Sequence, residues 1–211
     1  MSERSQTVSI WKDGWSDQSY WLDGLGEAPA CYSPLPREAD VVIIGSGYTG
    51  LNAAIECARG GKSVLVLEAG VPGHGCSTRN GGQISTSIKP SLEKLTAKYG
   101  AARGRAMREE GETALTWIES RIAEEDIDCD FRRVGRFHAS HTPQAYDDLA
   151  RDAEKISRTE GIEVHAVPRA EQHGELGSDS YHGGVVFPRH AAIHPARYHR
   201  GLLRAALTAG A

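Results

Sequence analysis

The segment 40–68 constrains the fold more than any other part of the chain. Val41-Val42-Ile43-Ile44 is a wholly apolar, β-branched run, the pattern of a strand buried on both faces. Gly45-Ser46-Gly47-Tyr48-Thr49-Gly50 follows directly, and Leu51, Ala54, Ile55 and Ala58 then recur at helical spacing, which predicts one apolar helix face. Gly60-Gly61 stops that helix. Ser63 to Leu67 reads as a second buried strand that closes on Glu68. Strand, glycine turn, helix and strand in this order predict a parallel β-α-β unit.

A G-x-G-x-x-G turn by itself is weak evidence for a ligand, but here the strand, the helix and the terminal acid that the motif requires are all present. Gly45 permits the tight turn, Gly47 lets backbone approach a pyrophosphate, and Gly50 allows close helix-strand packing. The helix N-terminus adds free N–H groups and the positive end of a dipole. Glu68 stands where an adenosine ribose diol would donate to it, and its charge disfavours a 2'-phosphate. The unit therefore predicts an adenine-dinucleotide site.

The choice between FAD and NAD falls to the residues after Glu68. A two-half NAD domain would continue with further short β-α-β units. This chain instead enters Gly73-His74-Gly75-Cys76-Ser77-Thr78-Arg79-Asn80-Gly81-Gly82-Gln83 and then helical sequence. A second glycine-rich loop beside the first suits an extended flavin, with Ser77 reaching a phosphate or ribityl oxygen and Arg79 and Asn80 near the isoalloxazine. Ordinary loop chemistry is an equal reading of those three side chains on spacing alone. FAD is the expected cofactor, and an NAD-linked dehydrogenase is the alternative.

Upstream, residues 1–39 are polar and aromatic, with Trp11, Trp15, Tyr20, Trp21 and Tyr32 spread through them and Pro29, Pro34 and Pro36 against regular structure. Such a segment predicts an arm laid over a folded body or against another subunit, since free tryptophans are costly. Downstream, helical pattern runs from Leu92 to Ile122, with an apolar stripe of Ala114, Leu115, Ile118 and Ile122 around Trp117. Extended segments are expected over Phe131 to Ser140, interrupted by Gly135, over Val164 to Val167 and over Gly183 to Phe187. Tyr146, Leu149, Ala153 and Ile156 predict an amphipathic helix. Pro195 to Ala209 predicts a final helix, with proline at the position a helix tolerates best.

A formal charge of -4 with interspersed acids and bases gives no electrostatic reason to expect nucleic acid. No window approaches a membrane span, and the first residues do not read as a secretory signal. Cys31, Cys57, Cys76 and Cys129 are widely spaced, which fits reduced thiols in a cytoplasmic protein, Cys57 and Cys129 as small buried apolar groups. His190 and His194 have no evident third ligand, Asp126, Asp128 and Asp130 lack the rest of a calcium loop, and Ser140-His141 has no triad context. No metal is expected.

The glycine loops and the last helix together resemble the D-amino-acid-oxidase-like family of FAD-dependent oxidoreductases. The residues that carry the likeness are VVIIGSGYTGLNAAIECARGGKSVLVLEAG, GHGCSTRNGGQIS and IHPARYHRGLLRAALTAGA. Ser19-Tyr20-Trp21 and Ile127 to Arg132 make it most similar to gamma-glutamylputrescine oxidoreductase-like members. The resemblance implies an α/β fold with an α+β substrate part: a Rossmann-like FAD/NAD(P)-binding domain carrying an inserted, incomplete substrate domain. It implies boundaries at 1–39 for the arm, 40–90 for the FAD-binding unit and second loop, 91–190 for part of the substrate domain, and 191–211 for a helix returning to the FAD domain. Carried over, Gly45, Ser46, Gly47, Tyr48, Thr49 and Gly50 contact FAD, Glu68 and Ala69 hold its adenosine, and Ser77, Arg79, Asn80, Gly81, Gly82 and Gln83 line the path to the flavin. No histidine lies in 77–82, so the FAD is expected to be noncovalent, with His74 offset. The implied activity is oxidation of the C–N bond of a small-molecule amine or amino acid, gamma-glutamylputrescine-like compounds among them, with oxygen or another acceptor taking the electrons. No catalytic residue is assignable. Relatives are about twice this long, in the multidomain range, so the chain is expected to be an N-terminal fragment of such an enzyme, with a non-catalytic dinucleotide-binding remnant as a further alternative.

Overall fold

The computed structural model describes residues 14–16, 18–28 and 34–211; Trp11, Pro29, Cys31 and Tyr32 lie outside the described residues. In chain order its elements are β1 (Val41–Ile44), α1 (Tyr48–Arg59), β2 (Val64–Leu67), β3 (Gln83–Ile84), α2 (Leu92–Tyr99), α3 (Ala101–Glu124), β4 (Arg136–Ala139), α4 (Pro143–Glu160), β5 (His165–Val167), β6 (Gly184–Phe187), β7 (Ala191–Ala192) and α5 (Pro195–Ala209).

The predicted β-α-β unit is formed. β1 and β2 pair in parallel, with Val41 opposite Val64 and Ile44 opposite Leu67. Gly45 turns out of β1 at φ +94°, a conformation that strains any side chain, and its N–H donates to the Leu67 carbonyl at 2.7 Å. α1 buries Leu51, Ala54 and Ile55. Those side chains meet Tyr198, Leu202, Leu203, Ala205 and Ala206 of α5, with Ile127, Cys129 and Ile193 completing the core. The Pro195 start and the left-handed Gly210 end of α5 follow the usual helix-boundary chemistry.

Burial of β1 on both faces is not observed. Ile43 packs on the core, whereas Val42 is 53% and Ile44 89% exposed. Alternate strand residues point to opposite faces, and among the described residues only the α1–α5 side carries a packed layer. Ala58 and Cys57, expected inside, are half-buried, while Cys129 is buried.

The helical stretch over 92–122 is two helices. Gly100 adopts φ +83° and separates α2 from α3. On α3, Leu115 is buried and Ile118 and Ile122 reach the core, but Ala114 and Trp117 face outward. Arg121 takes the inner position instead, ion-paired with Glu56 and with Glu125 (2.9 Å) and stacked over Trp117.

The segment 131–140 forms a strand only at β4, because Gly135 turns just before it at φ +72°. β4, β6 and β5 make an antiparallel sheet in that order, and Ala153 of α4 packs on Val164 and Val185. β3 and β7, unforeseen in the sequence, pair Gln83 with Ala192 and so tie the second glycine loop to the start of α5. The described part of the arm covers that same loop: Ser19 Oγ donates to the Thr78 carbonyl (2.6 Å) and Trp21 Nε1 to the Asn80 carbonyl (2.7 Å). Among the described residues no helix is long and apolar enough to cross a membrane.

Candidate dinucleotide site

The two glycine-rich loops meet at the N-terminus of α1. Ser77 Oγ accepts a hydrogen bond from the Tyr48 amide at 3.1 Å. A hydroxyl that accepts from one side keeps its own proton for a further acceptor. Between the loops lies an open cavity of about 390 Å³, lined by Ile44, Gly45, Gly47, Tyr48, Thr49, Gly50, Cys76, Ser77 and Asn80. None of these is acidic, and α1 carries no side-chain cap at its Gly47 start. Tyr48 gives its amide to Ser77, while the Thr49 and Gly50 amides that follow face an outside acceptor with the positive end of the helix dipole behind them.

Two glycines of this cradle pack where a side chain would be crowded. A Cβ on Gly47 would stand 3.0 Å from Ser77 Oγ and so press on the contact between the loops. A Cβ on Gly50 would overlap the Gly45 carbonyl oxygen and approach Ile43 Cγ2 to 3.3 Å, so α1 sits directly against the turn.

Glu68 lies just past β2. Its carboxylate accepts from the Ser46 hydroxyl (2.6 Å) and amide (2.9 Å) through one oxygen, and from the Gly70 amide (3.3 Å) through the other. These bonds, the Ser46 hydroxyl first, hold its pKa below the usual carboxylate range. Glu68 stays exposed and anionic, with acceptor capacity left for a donor such as a sugar hydroxyl.

Of the remaining candidates only Asn80 lines the cavity, and the others in the second loop shape that loop. Arg79 Nε donates to the His74 carbonyl at 2.8 Å. Asn80 lines the cavity and also holds the turn, donating to the Cys76 and Ser77 carbonyls and accepting from the Gly82 amide at 2.9 Å. The buried Gly82 passes its carbonyl to the Ile193 amide at 2.8 Å, and Gln83 sits on β3. Ala69 and Gly81 are exposed, and Ser46 is buried beneath the turn.

Ile44 and Cys76 complete the lining without any sequence signal beyond adjacency to the glycines. Tyr48 spans from the cavity to α5, where its hydroxyl donates to the Pro195 carbonyl at 2.9 Å. Burial pushes the phenols of Tyr48 and Tyr198 up to about 12 and the Cys129 thiol up to about 11. All three stay protonated at neutral pH, as structural groups rather than bases or nucleophiles. Among the described residues no group of three or more His, Cys, Asp or Glu comes together as a metal site.

A family model described as FAD dependent oxidoreductase, the D-amino-acid-oxidase-like group, matches residues 40–211, and the chain belongs to that family. It is 29% identical over 198 residues to a probable oxidoreductase, OrdL, of Haemophilus influenzae, covering 92% of this chain and 45% of that one. It is 34% identical over 178 residues to the gamma-glutamylputrescine oxidoreductase of Escherichia coli, covering 82% and 39%. The chain thus spans less than half the length of these curated relatives. The crystal structure of glycine oxidase from Geobacillus kaustophilus superposes with a TM-score of 0.64 at 22% identity, over 82% of this chain and 45% of that one. At that identity the likeness bears on the fold alone.

The site suits the cofactor that the family name states. Anionic phosphates would meet glycine-loop amides, the N-terminal end of a helix and a hydroxyl, in a cavity with no acidic lining.

Proposed function

We propose that the chain is the adenine- and pyrophosphate-binding part of a flavin-dependent amine or amino-acid oxidoreductase, with noncovalent FAD. The carrying observation is the joined pair of loops, Tyr48 amide to Ser77 hydroxyl, around a cavity of backbone donors. In this reading the Gly47, Thr49 and Gly50 amides and the Ser77 hydroxyl hold the pyrophosphate. Glu68 and Ala69 hold the adenosine, and Arg79, Asn80, Gly81, Gly82 and Gln83 carry the second loop toward the flavin ring. The segment 40–90 is then the cofactor-binding unit of a Rossmann-like domain, 91–190 part of an inserted substrate domain, and 191–211 the helix that returns.

When bound, FAD supplies the acceptor for a hydride from the carbon next to an amine nitrogen. The protein residues described above bind and orient; none is placed as the acid or base. The substrate is a primary or secondary amine, gamma-glutamylputrescine-like compounds included, oxidised to an imine that water hydrolyses. Electrons then pass to oxygen or another acceptor. A cytoplasmic location is part of the proposal and rests on the scattered cysteines.

The test is to express the full-length protein and record its visible spectrum. A yellow protein whose flavin bands bleach anaerobically with an amine is the expected result. A folded, colourless protein that takes up no FAD, or one whose melting temperature rises with NAD and not FAD, overturns the proposal.

A further inference from the structure

His199 lies in the second turn of α5 and is 1% exposed, and the reading above gives it no task. Its Nε2 lies 2.7 Å from the carbonyl oxygen of Ser46, inside the first glycine loop. A carbonyl only accepts, so Nε2 carries the proton and Nδ1 does not, the ring being neutral. Burial favours that neutral form, holding the ring's pKa below its ordinary value.

The same ring also touches the second loop. A Cβ on Gly73 would fall 2.8 Å from both Cε1 and Nδ1 of His199, so Gly73 is shaped around the imidazole. Thr78 closes that contact by donating its hydroxyl to the Gly73 carbonyl. One buried side chain thus stands between the first loop and the second.

The Ser46–Gly47 peptide explains why this matters for a ligand. The peptide bond is planar and trans, so the Gly47 N–H points opposite to the Ser46 carbonyl. Fixing the carbonyl on His199 therefore fixes the direction of the Gly47 N–H, and Gly47 lines the cavity. We propose that His199 is a positioning residue for a diphosphate ligand, aiming the Gly47 amide through the Ser46 carbonyl and locking the two glycine loops together. The inference rests on the dinucleotide reading given under Proposed function.

The test compares His199→Phe, which keeps a ring and loses the donor, with His199→Gln, which loses the ring and keeps an N–H donor. Dissociation constants for FAD and ADP are measured by flavin fluorescence and calorimetry on the full-length protein, beside melting temperatures. A lost buried hydrogen bond predicts about tenfold weaker binding of both ligands to His199→Phe. His199→Gln is expected to bind within about threefold of the parent. A residue that only fills space gives the opposite order, Phe tight and Gln weak, and that result, or equal weakening of both, overturns the inference. Should either variant fail to fold, nitrogen NMR of the unaltered protein decides: protonation of His199 at Nδ1 instead of Nε2 overturns it. A parent protein that binds neither FAD nor ADP removes the dinucleotide reading itself, whereas parent binding with unchanged His199→Phe removes only the role of His199.

Discussion

Gly50→Ala separates a glycine kept for packing from one kept by chance. The added Cβ would overlap the Gly45 carbonyl oxygen and stand 3.2 Å from its carbonyl carbon and 3.3 Å from Ile43 Cγ2. Two of these atoms are backbone in a turn already fixed by the Gly45 N–H bond to Leu67, so a rotamer change cannot relieve the clash. The start of α1 must move by about 1 Å to restore normal carbon contacts. Overpacking of this kind costs about 3 kcal/mol at the upper end of its usual range. The better helix propensity of alanine offsets about 1 kcal/mol of that. The net loss of about 2 kcal/mol lowers the melting temperature by roughly 4–8 °C for a chain of this size. The shift also carries the α1 amides away from Ser77, so FAD binding weakens with it. Differential scanning fluorimetry and flavin titration measure both. Gly177→Ala, with nothing near its Cβ, is the control and should stay within about 0.5 kcal/mol of the parent. A Gly50→Ala protein that melts with the control and binds FAD at parental affinity would refute the packing argument.

Three further outcomes follow from other contacts. Arg121→Ala leaves the buried Glu125 carboxylate with only Arg59, at 2.8 Å, and should cost about 3 kcal/mol in chemical denaturation; a loss under about 1 kcal/mol would show the pair to be solvated. Cys76 is exposed and lines the cavity while Cys129 is buried with its thiol raised to about 11, so mapped alkylation should mark Cys76 first and FAD should slow it; equal labelling with and without FAD would place the ligand elsewhere. His190 and His199, nearly fully buried, have pKa values depressed chiefly by burial from 6.5; the unfolded chain then takes up protons first, so stability is full above about pH 6.5 and falls as the pH drops through the folded values. A melting temperature flat between pH 7 and 5 would contradict that sign.

The parts legible in the sequence are those where backbone geometry dictates residue type. Gly45 needs a positive φ and Gly50 the absence of a Cβ, and both needs write themselves into the sequence as glycine. The ends of α5 are legible for the same reason, through Pro195 and Gly210. Side chains that support from a distance carry no such mark. His199 reads as one more residue on an apolar helix, and its bond to Ser46 spans 153 positions. Arg121 occupies an inward slot that a hydrophobic-period reading assigns to its neighbours, because Glu56 from α1 and Glu125 at the end of its own helix neutralise it. The pairing of β3 with β7 is likewise invisible, each strand being two residues long. Apolar content misleads in the opposite direction at β1, since Val42 and Ile44 predict a covering layer that the described residues do not supply.

The cavity lining contains no lysine or arginine. On the function proposed above, recognition of phosphate there depends on fixed dipoles: amides that point the right way, a helix terminus with no cap from its own Gly47, and one hydroxyl. A point charge tolerates displacement, but a hydrogen bond to an amide weakens steeply once its angle departs from linear. A site built on amides therefore needs its backbone held from behind. The Ser46 contacts to Glu68, the Tyr48 bond to Pro195 and the His199 bond to Ser46 all brace the same six-residue turn. The bracing residues come from the end of β2 and from α5, both far beyond that turn in sequence. On the proposed function, dinucleotide binding and rigidity of the β-α-β unit are coupled, so loosening any of these braces is expected to weaken the ligand by turning donors away from the cavity.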